Sequence, residues 1–227
     1  MAYDVALSAG VRSSMLSLQS TNNNILIAQN RLSTGKKVNS ALDNPSSFFT
    51  AAGLNNRASD LSKLMDSMTL ATKVLEAADK GITAIQSLVD TAKGLANQAK
   101  QSSDTTLRAS LATQFDALRT QIDKITGDSG YNGTNLIKAT PDSMSVVFNE
   151  GGTSTLSVAG ADLSTAATGL NVAAAANSWA ANADVDAAIT ALNTATNKLR
   201  AQASTFGTNL TVVQTRKDFT TNLINTL

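Results

Sequence analysis

The feature that most constrains this chain is a stripe of apolar residues at Leu61, Leu64, Met68, Ala71, Leu75, Ala78, Ile82, Ile85, Val89, Ala92, Ala96 and Ala99, stepping by threes and fours without a break. A repeat of about 3.5 residues keeps one face of an α-helix turned towards a partner along its whole length, so the pattern demands a long helix in a coiled-coil-like bundle. A helix over residues 59–100 would be about 60 Å long. Gly81 and Gly94 each cost it about 1 kcal/mol against Ala. Burial of seam residues such as Leu75 and Ile82 offsets that at about 1.5–3 kcal/mol apiece.

The rest of the chain is arranged around that helix. Ser102, Ser103 and Asp104 offer N-caps for a second helix with apolar positions at Leu107, Leu111, Phe115, Leu118, Ile122 and Ile125, expected to fold back antiparallel and to end near Gly127. Asn132-Gly133 then reads as a tight turn. Between Pro141 and about Asn177 the pattern changes to short alternating runs, Ser145-Val146-Val147-Phe148 and Ser154-Thr155-Leu156-Ser157-Val158, separated by glycines. Helical spacing returns at Val185, Ile189, Leu192, Thr196, Leu199, Ala203, Phe206, Leu210 and Val213, and the chain stops at Leu227 still helical in character. The expected fold is mainly α, an elongated rod of long antiparallel coiled-coil-like helices with a small β-hairpin-rich insert at the far end.

The N-terminal segment steps in the same way at Val11, Met15, Leu18, Asn22, Ile25, Gln29 and Leu32, but its stripe contains Asn and Gln. Such a seam is too polar to hold a core by itself. A helix of this kind can be largely disordered alone and order when other chains supply the missing surface. Four segments follow from the pattern: 1–44 as terminal helix and linker, 45–140 as the first part of a helical rod, 141–182 as a β-rich insert, and 183–227 as the returning rod helix.

Composition removes most enzymatic readings. There is neither Cys nor His, which excludes thiol and imidazole chemistry and the usual structural zinc sites. A net charge of +1 with no cluster of Lys and Arg gives no field to hold nucleic acid. No apolar stretch is long enough to span a bilayer, and the first twenty or so residues lack the pattern of a general secretory signal. No cofactor is expected. Asp79 with Glu76, and Asp116 with Asp123, read as the solvated faces of helices rather than as catalytic carboxylate pairs. Gly151-Gly152 lacks the spacing and the Lys of a phosphate loop. Trp179 is expected to pack beneath the insert, and Tyr3 to be an assembly contact. Thr153, Ser154 and Thr155 are candidate sugar acceptors if the insert is exposed.

The run Asn30-Arg31-Leu32-Ser33-Thr34-Gly35-Lys36-Lys37-Val38-Asn39-Ser40-Ala41-Leu42-Asp43-Asn44 resembles the N-terminal signature of bacterial flagellins. The heptad helix, the fold-back helix, the turn Tyr131-Asn132-Gly133-Thr134-Asn135-Leu136 and the returning helix stand in that family's order. The resemblance covers residues 1 to about 140 and 183–227. It implies a secreted structural subunit of the bacterial flagellum that assembles with copies of itself into a helical filament. It further implies as partners the flagellar type III export apparatus, a chaperone, and the hook-junction and cap proteins, with no nucleic acid and no membrane insertion. Carried over residue by residue, it puts Met15, Leu18, Ile25, Arg31, Leu32, Gly35, Asn39 and Asp43 at the subunit interface.

Flagellins detected by the vertebrate innate receptor carry an Arg in the heptad helix and a Glu in the fold-back helix. Here those places are taken by Thr91 and Gln114, with Leu95 retained. The resemblance therefore implies a weakened receptor patch. Flagellins also end in a second terminal helix, so a chain that stops at Leu227 is expected to lack it and to stay monomeric. The other readings are a hook-filament junction protein, a flagellin-like enzyme with a catalytic insert, and a helical toxin or adhesin; the signature between Arg31 and Asp43 favours flagellin.

Overall fold

A computed structural model of the chain describes residues 8–227. Tyr3 lies outside the described residues. The described part is mainly helical: α1 (Ala9–Thr34), α2 (Pro45–Gln101), α3 (Thr105–Asp128) and α4 (Asn182–Thr226), with a hairpin of β1 (Ser143–Val147) and β2 (Thr155–Ala159) and a single 3-10 turn at Ala176–Trp179. The expected class, long helices with a small β-hairpin insert, is the class observed. The chain divides into two compact units between Arg57 and Ala58.

In the larger unit, α2, α3 and α4 pack around one apolar core. α4 runs antiparallel to α2: Lys100 meets Asp186 at 2.6 Å, Lys93 donates to Asn193 at 2.6 Å, and Thr221 reaches the sulfur of Met65 at 3.6 Å. As one residue number climbs, its partner's falls in step. The heptad stripe supplies the α2 side of the core, with Leu61, Met68, Leu75, Ile85, Val89 and five alanines buried and Leu64 half-buried. On α4 the buried seam uses Ala195, and Thr196 is only half-buried. Ala71, Ala78, Ala92, Ala96 and Ala99 are buried in the seam between the larger residues, and dispersion over that contact supplements the hydrophobic gain. Gly81 goes further, since an added Cβ would meet the Ser129 side chain and Ile137 Cδ1.

The ends of α3 are closed by side chains. Asp104 is its N-cap, accepting from the backbone N–H of Thr106 at 2.8 Å and Leu107 at 3.3 Å. At the other end Ser129 donates to the Ile125 carbonyl, and Asn135 Nδ2 donates to the carbonyls of Thr126 (2.8 Å) and Gly127 (2.9 Å), oxygens that the helix itself leaves unpaired. The turn that swings Asn135 into place is Asn132-Gly133, with φ of 50° and 81° between the bridged residues Tyr131 and Thr134. Two consecutive positive φ values are what a primed two-residue turn requires, and Asn-Gly is its preferred filling.

The hairpin is antiparallel in the register Ser143↔Ala159 to Val147↔Thr155. Its alternation places Met144, Val146, Leu156 and Val158 on one face, with Val146 and Val158 buried. At the end of β1, Phe148 lies under the Arg216 guanidinium of α4, 5.4 Å from ring centroid to cation.

The return leg from Gly160 to Trp179 is bound along α3 by a polar ladder. Asp123 accepts from the N–H (2.7 Å) and hydroxyl (2.9 Å) of Thr165, Arg119 Nε donates to the Val172 carbonyl at 2.7 Å, and Asp116 accepts from the Ala175 N–H at 3.0 Å. Asp116 and Asp123 are thus ties to a distant segment. Glu76 instead meets Lys73 on α2 at 2.9 Å. Trp179 is fully buried and packs on Phe115 of α3, ring centroids 4.9 Å apart.

Candidate assembly surface

The smaller unit carries the residues singled out by the signature. α1 starts with Ser8, whose hydroxyl accepts from Val11 N–H at 3.4 Å, and ends at Gly35, which takes the left-handed conformation (φ 66°) that closes a helix C-terminus at no steric cost. Arg31 in its last turn faces the carbonyl end of the helix dipole. Among its described residues none is buried, although α1 is a continuous helix of 26 residues. Its apolar side chains stand in solvent: Met15 is 50% exposed, Leu18 69%, Ile25 49% and Leu32 86%, with Val11, Leu16, Leu26 and Ile27 exposed beside them.

The linker after α1 is drawn into a compact knot. A single carboxylate oxygen of Asp43 accepts from the backbone N–H groups of Asn39 (2.9 Å) and Ser40 (3.0 Å), while the Asp43 N–H returns a bond to the Ser40 carbonyl at 3.2 Å. The Asn39 amide also reaches back to Asn30 Oδ1 at 3.4 Å. The backbone donation from Asn39, then that from Ser40, holds the Asp43 carboxyl below the ordinary aspartate range, with a smaller contribution from the Arg31 charge. Asn44 then caps α2 by accepting from Ser47 N–H at 3.1 Å, directly before Pro45, a residue suited to the first helical position.

Sequence-predicted residues therefore fall into two sets within this unit. Asn39 and Asp43 are bonded together in the linker knot, Arg31 adds its charge to Asp43, and Gly35 closes the end of α1 just before them. Met15, Leu18, Ile25 and Leu32 are left open on α1. Periodicity alone missed two neighbours of the same kind, Leu42 at 96% exposure and Phe49 at 65%. Phe49 stacks edge-on against Phe48, centroids 5.7 Å apart, in the first turns of α2. The signal for both was present as large apolar residues next to polar linker residues. Lys36, Lys37, Val38, Phe48 and Ala51 also line a cavity of about 450 Å³.

In the larger unit Thr91 and Gln114 are exposed on α2 and α3, and Leu95 is half-buried against the core. The Thr91 hydroxyl donates to the Ser87 carbonyl at 2.9 Å. Among the described residues no group of three or more acidic side chains is placed to hold a metal ion, and no helix is long and apolar enough to cross a membrane.

The comparisons with known proteins place these helices and the linker between them in one family. Residues 10–141 match the family of the bacterial flagellin N-terminal helical region. The chain belongs to the bacterial flagellin family. It is similar to Flagellin FljM of Caulobacter vibrioides, with 30% identity over 96% of this chain and 79% of FljM. Flagellin FljK of the same organism is also 30% identical, over 84% of this chain and 70% of FljK. The crystal structure of Bacillus cereus flagellin shares the fold, with a TM-score of 0.58 at 22% identity over 70% of this chain and 88% of that one. This flagellin is a structural subunit of the flagellar filament, a secreted component of the bacterial flagellum, and not an enzyme.

Proposed function

We propose that the open face of α1, through Met15, Leu18, Ile25 and Leu32, and the linker knot of Arg31, Gly35, Asn39 and Asp43 make the subunit-to-subunit contacts of the filament. The observation that supports this most is that α1 buries none of its residues within its own chain while presenting a line of large apolar side chains. Such a surface gains free energy when copies cover it, at about 25 cal/mol per Å² of apolar area removed from water. On this reading residues 1–44 serve polymerisation, 45–140 and 183–227 form the rod, and 141–182 are the variable outer part. The subunit passes through the flagellar type III export apparatus with a chaperone and is received by the hook-junction and cap proteins.

The test uses a bacterium lacking its own flagellin, in which the gene with its natural C-terminal extension gives filaments, and introduces Leu18→Asn and Ile25→Asn together into that gene. Export of the variant subunit into the medium without filaments in electron micrographs is the expected outcome. Normal filaments would remove α1 from the interface. The receptor patch is tested separately. Because Thr91 and Gln114 replace the charged pair, the chain is a weak agonist of the vertebrate innate flagellin receptor, and restoring Arg at position 91 should regain up to a few kcal/mol of binding. A reporter-cell assay in which the unaltered protein is already potent would refute that.

A further inference from the structure

Residues 176–181 join the return leg to α4 through a conformation that ordinary residues avoid. Asn177 (φ 47°, ψ 31°), Ser178 (φ 49°, ψ 31°) and Trp179 (φ 58°) are all left-handed, and none is glycine. For an L-residue this region crowds Cβ against the following carbonyl oxygen, and residues other than glycine enter it singly rather than in runs. A run of this kind stores strain that only surrounding contacts can hold.

The turn closes on itself through Ala180 N–H to the Asn177 carbonyl at 3.0 Å, and its large apolar anchor is the indole of Trp179. The Trp179 ring is fully buried on Phe115, yet its indole Nε1–H is buried without an acceptor among the described residues, so the seating of the ring is opposed by an unmet hydrogen bond. The polar ties to α4 are long: Asn177 Nδ2 lies 3.4 Å from each carboxylate oxygen of Asp184, and the Ala181 N–H lies 3.4 Å from one of them. Beside the ring is a cavity of about 200 Å³ walled largely by methyl groups of Ala173, Ala174, Ala187 and Ala188, which gives the turn room to move. Immediately upstream the situation reverses, because Val172 and Ala175 are anchored on α3 by Arg119 and Asp116.

We propose that residues 176–181 form a spring-loaded strap, which opens by unseating Trp179 from Phe115 while α2, α3 and α4 stay packed. In the open state Asn177, Ser178 and Trp179 return to ordinary backbone conformations, the indole N–H reaches water, and the first turn of α4 loses its cover. The anchors at Val172 and Ala175 limit how far the opening spreads. This makes the junction of insert and α4 the weakest point of the larger unit, a local opening distinct from global unfolding.

Trp179 is the only tryptophan in the sequence, so its emission reports the strap while far-ultraviolet circular dichroism reports the helices. In a urea titration of the whole chain, acrylamide access to Trp179 is expected to rise before the helical signal falls. In the double variant Asn177→Gly, Ser178→Gly the strain at two positions is gone. The opening constant is expected to fall about tenfold or more, drawing the two transitions together. Glycine's extra freedom in the unfolded chain acts in the opposite direction, so a gain reports released strain. The double variant Asn177→Ala, Ser178→Ala keeps both Cβ atoms and should leave the gap between the transitions in place. Coincident transitions in the unaltered chain would overturn the proposal, as would a glycine variant whose Trp179 is quenched as readily as before.

Discussion

α1 and α2 step their apolar residues at the same intervals, yet one buries nothing and the other forms the spine of a core. The difference lies in what fills the stripe. On α2 it is Leu, Met, Ile, Val and Ala throughout, and α3 and α4 cover it. On α1, Asn22 and Gln29 occupy turns of the stripe, and the apolar residues between them stay in water. Helical period therefore specifies that a face exists, while the polarity along that face decides whether the chain closes it alone or leaves it for another molecule.

Mutations can break this comparison at either side. The largest effect is expected in the core: Phe115→Ala removes a fully buried ring that also seats Trp179, and should lower the stability of the larger unit by about 3–5 kcal/mol in urea unfolding. On α1, Leu18→Ala should change the same measurement by less than about 0.5 kcal/mol, because its side chain is already solvated. A comparable loss at both positions would mean that α1 is covered within the monomer. Gly81→Ala should cost about 1–3 kcal/mol in spite of alanine's better helix propensity, since the new methyl meets Ser129 and Ile137. Thermal melting of the variant measures it.

Arg108 sharpens the contrast from the opposite direction. It is a buried cation in α3 whose Nε and one terminal nitrogen find no acceptor among the described residues. Replacing it with Met should raise stability by about 1 kcal/mol, because the desolvation cost of the unpaired nitrogens is removed while the apolar stem is kept. A fall in melting temperature would show that the charge is compensated in solution.

The smallest effect belongs to the linker and depends on pH. Asp43 has its folded pKa depressed below the ordinary 3.8 by the N–H groups of Asn39 and Ser40. A depressed acid contributes stability that is fully present above its unfolded pKa and is lost as pH falls through the folded value. The linker knot is therefore intact at neutral pH and loosens only in strong acid, which amide proton chemical shifts of Asn39 and Ser40 would follow. In Asp43→Asn those shifts should no longer move with the titration.

The bundle was legible in the sequence because burial and period coincide. The stripe from Leu61 to Ala99, the cap at Asp104 among the three offered and the alternation in both strands are local signals; all formed, with the strand ends shifted to Ser143–Val147 and Thr155–Ala159. Where burial stops, legibility stops with it. α2 begins at Pro45 rather than near Ser59, since its first turns carry exposed Phe49 and no seam to register. Asp116 and Asp123 read as a solvated face because their partners, Ala175 and Thr165, lie tens of residues away in the chain, and the same distance hides the bond from Arg119 to Val172. Trp179 could be placed in a core by its type, but nothing in the local sequence announces a run of left-handed residues. In the smaller unit Leu42 lies inside the quoted signature and Phe49 just after it, yet neither stands in a repeat, so periodicity marked neither as an exposed apolar residue.

The two sets of restraints on the insert meet nowhere near its tip. Strand register is set by the pairs from Ser143↔Ala159 to Val147↔Thr155, and the return leg is tied to α3 beyond them. Between Phe148 and Ser154 the chain is closed mainly by Asn149, which bonds Thr153 and Ser154. Length added between Gly151 and Gly152 would leave the strand pairs and the ties to α3 untouched, so a longer tip is expected to cost the helices beneath none of their register.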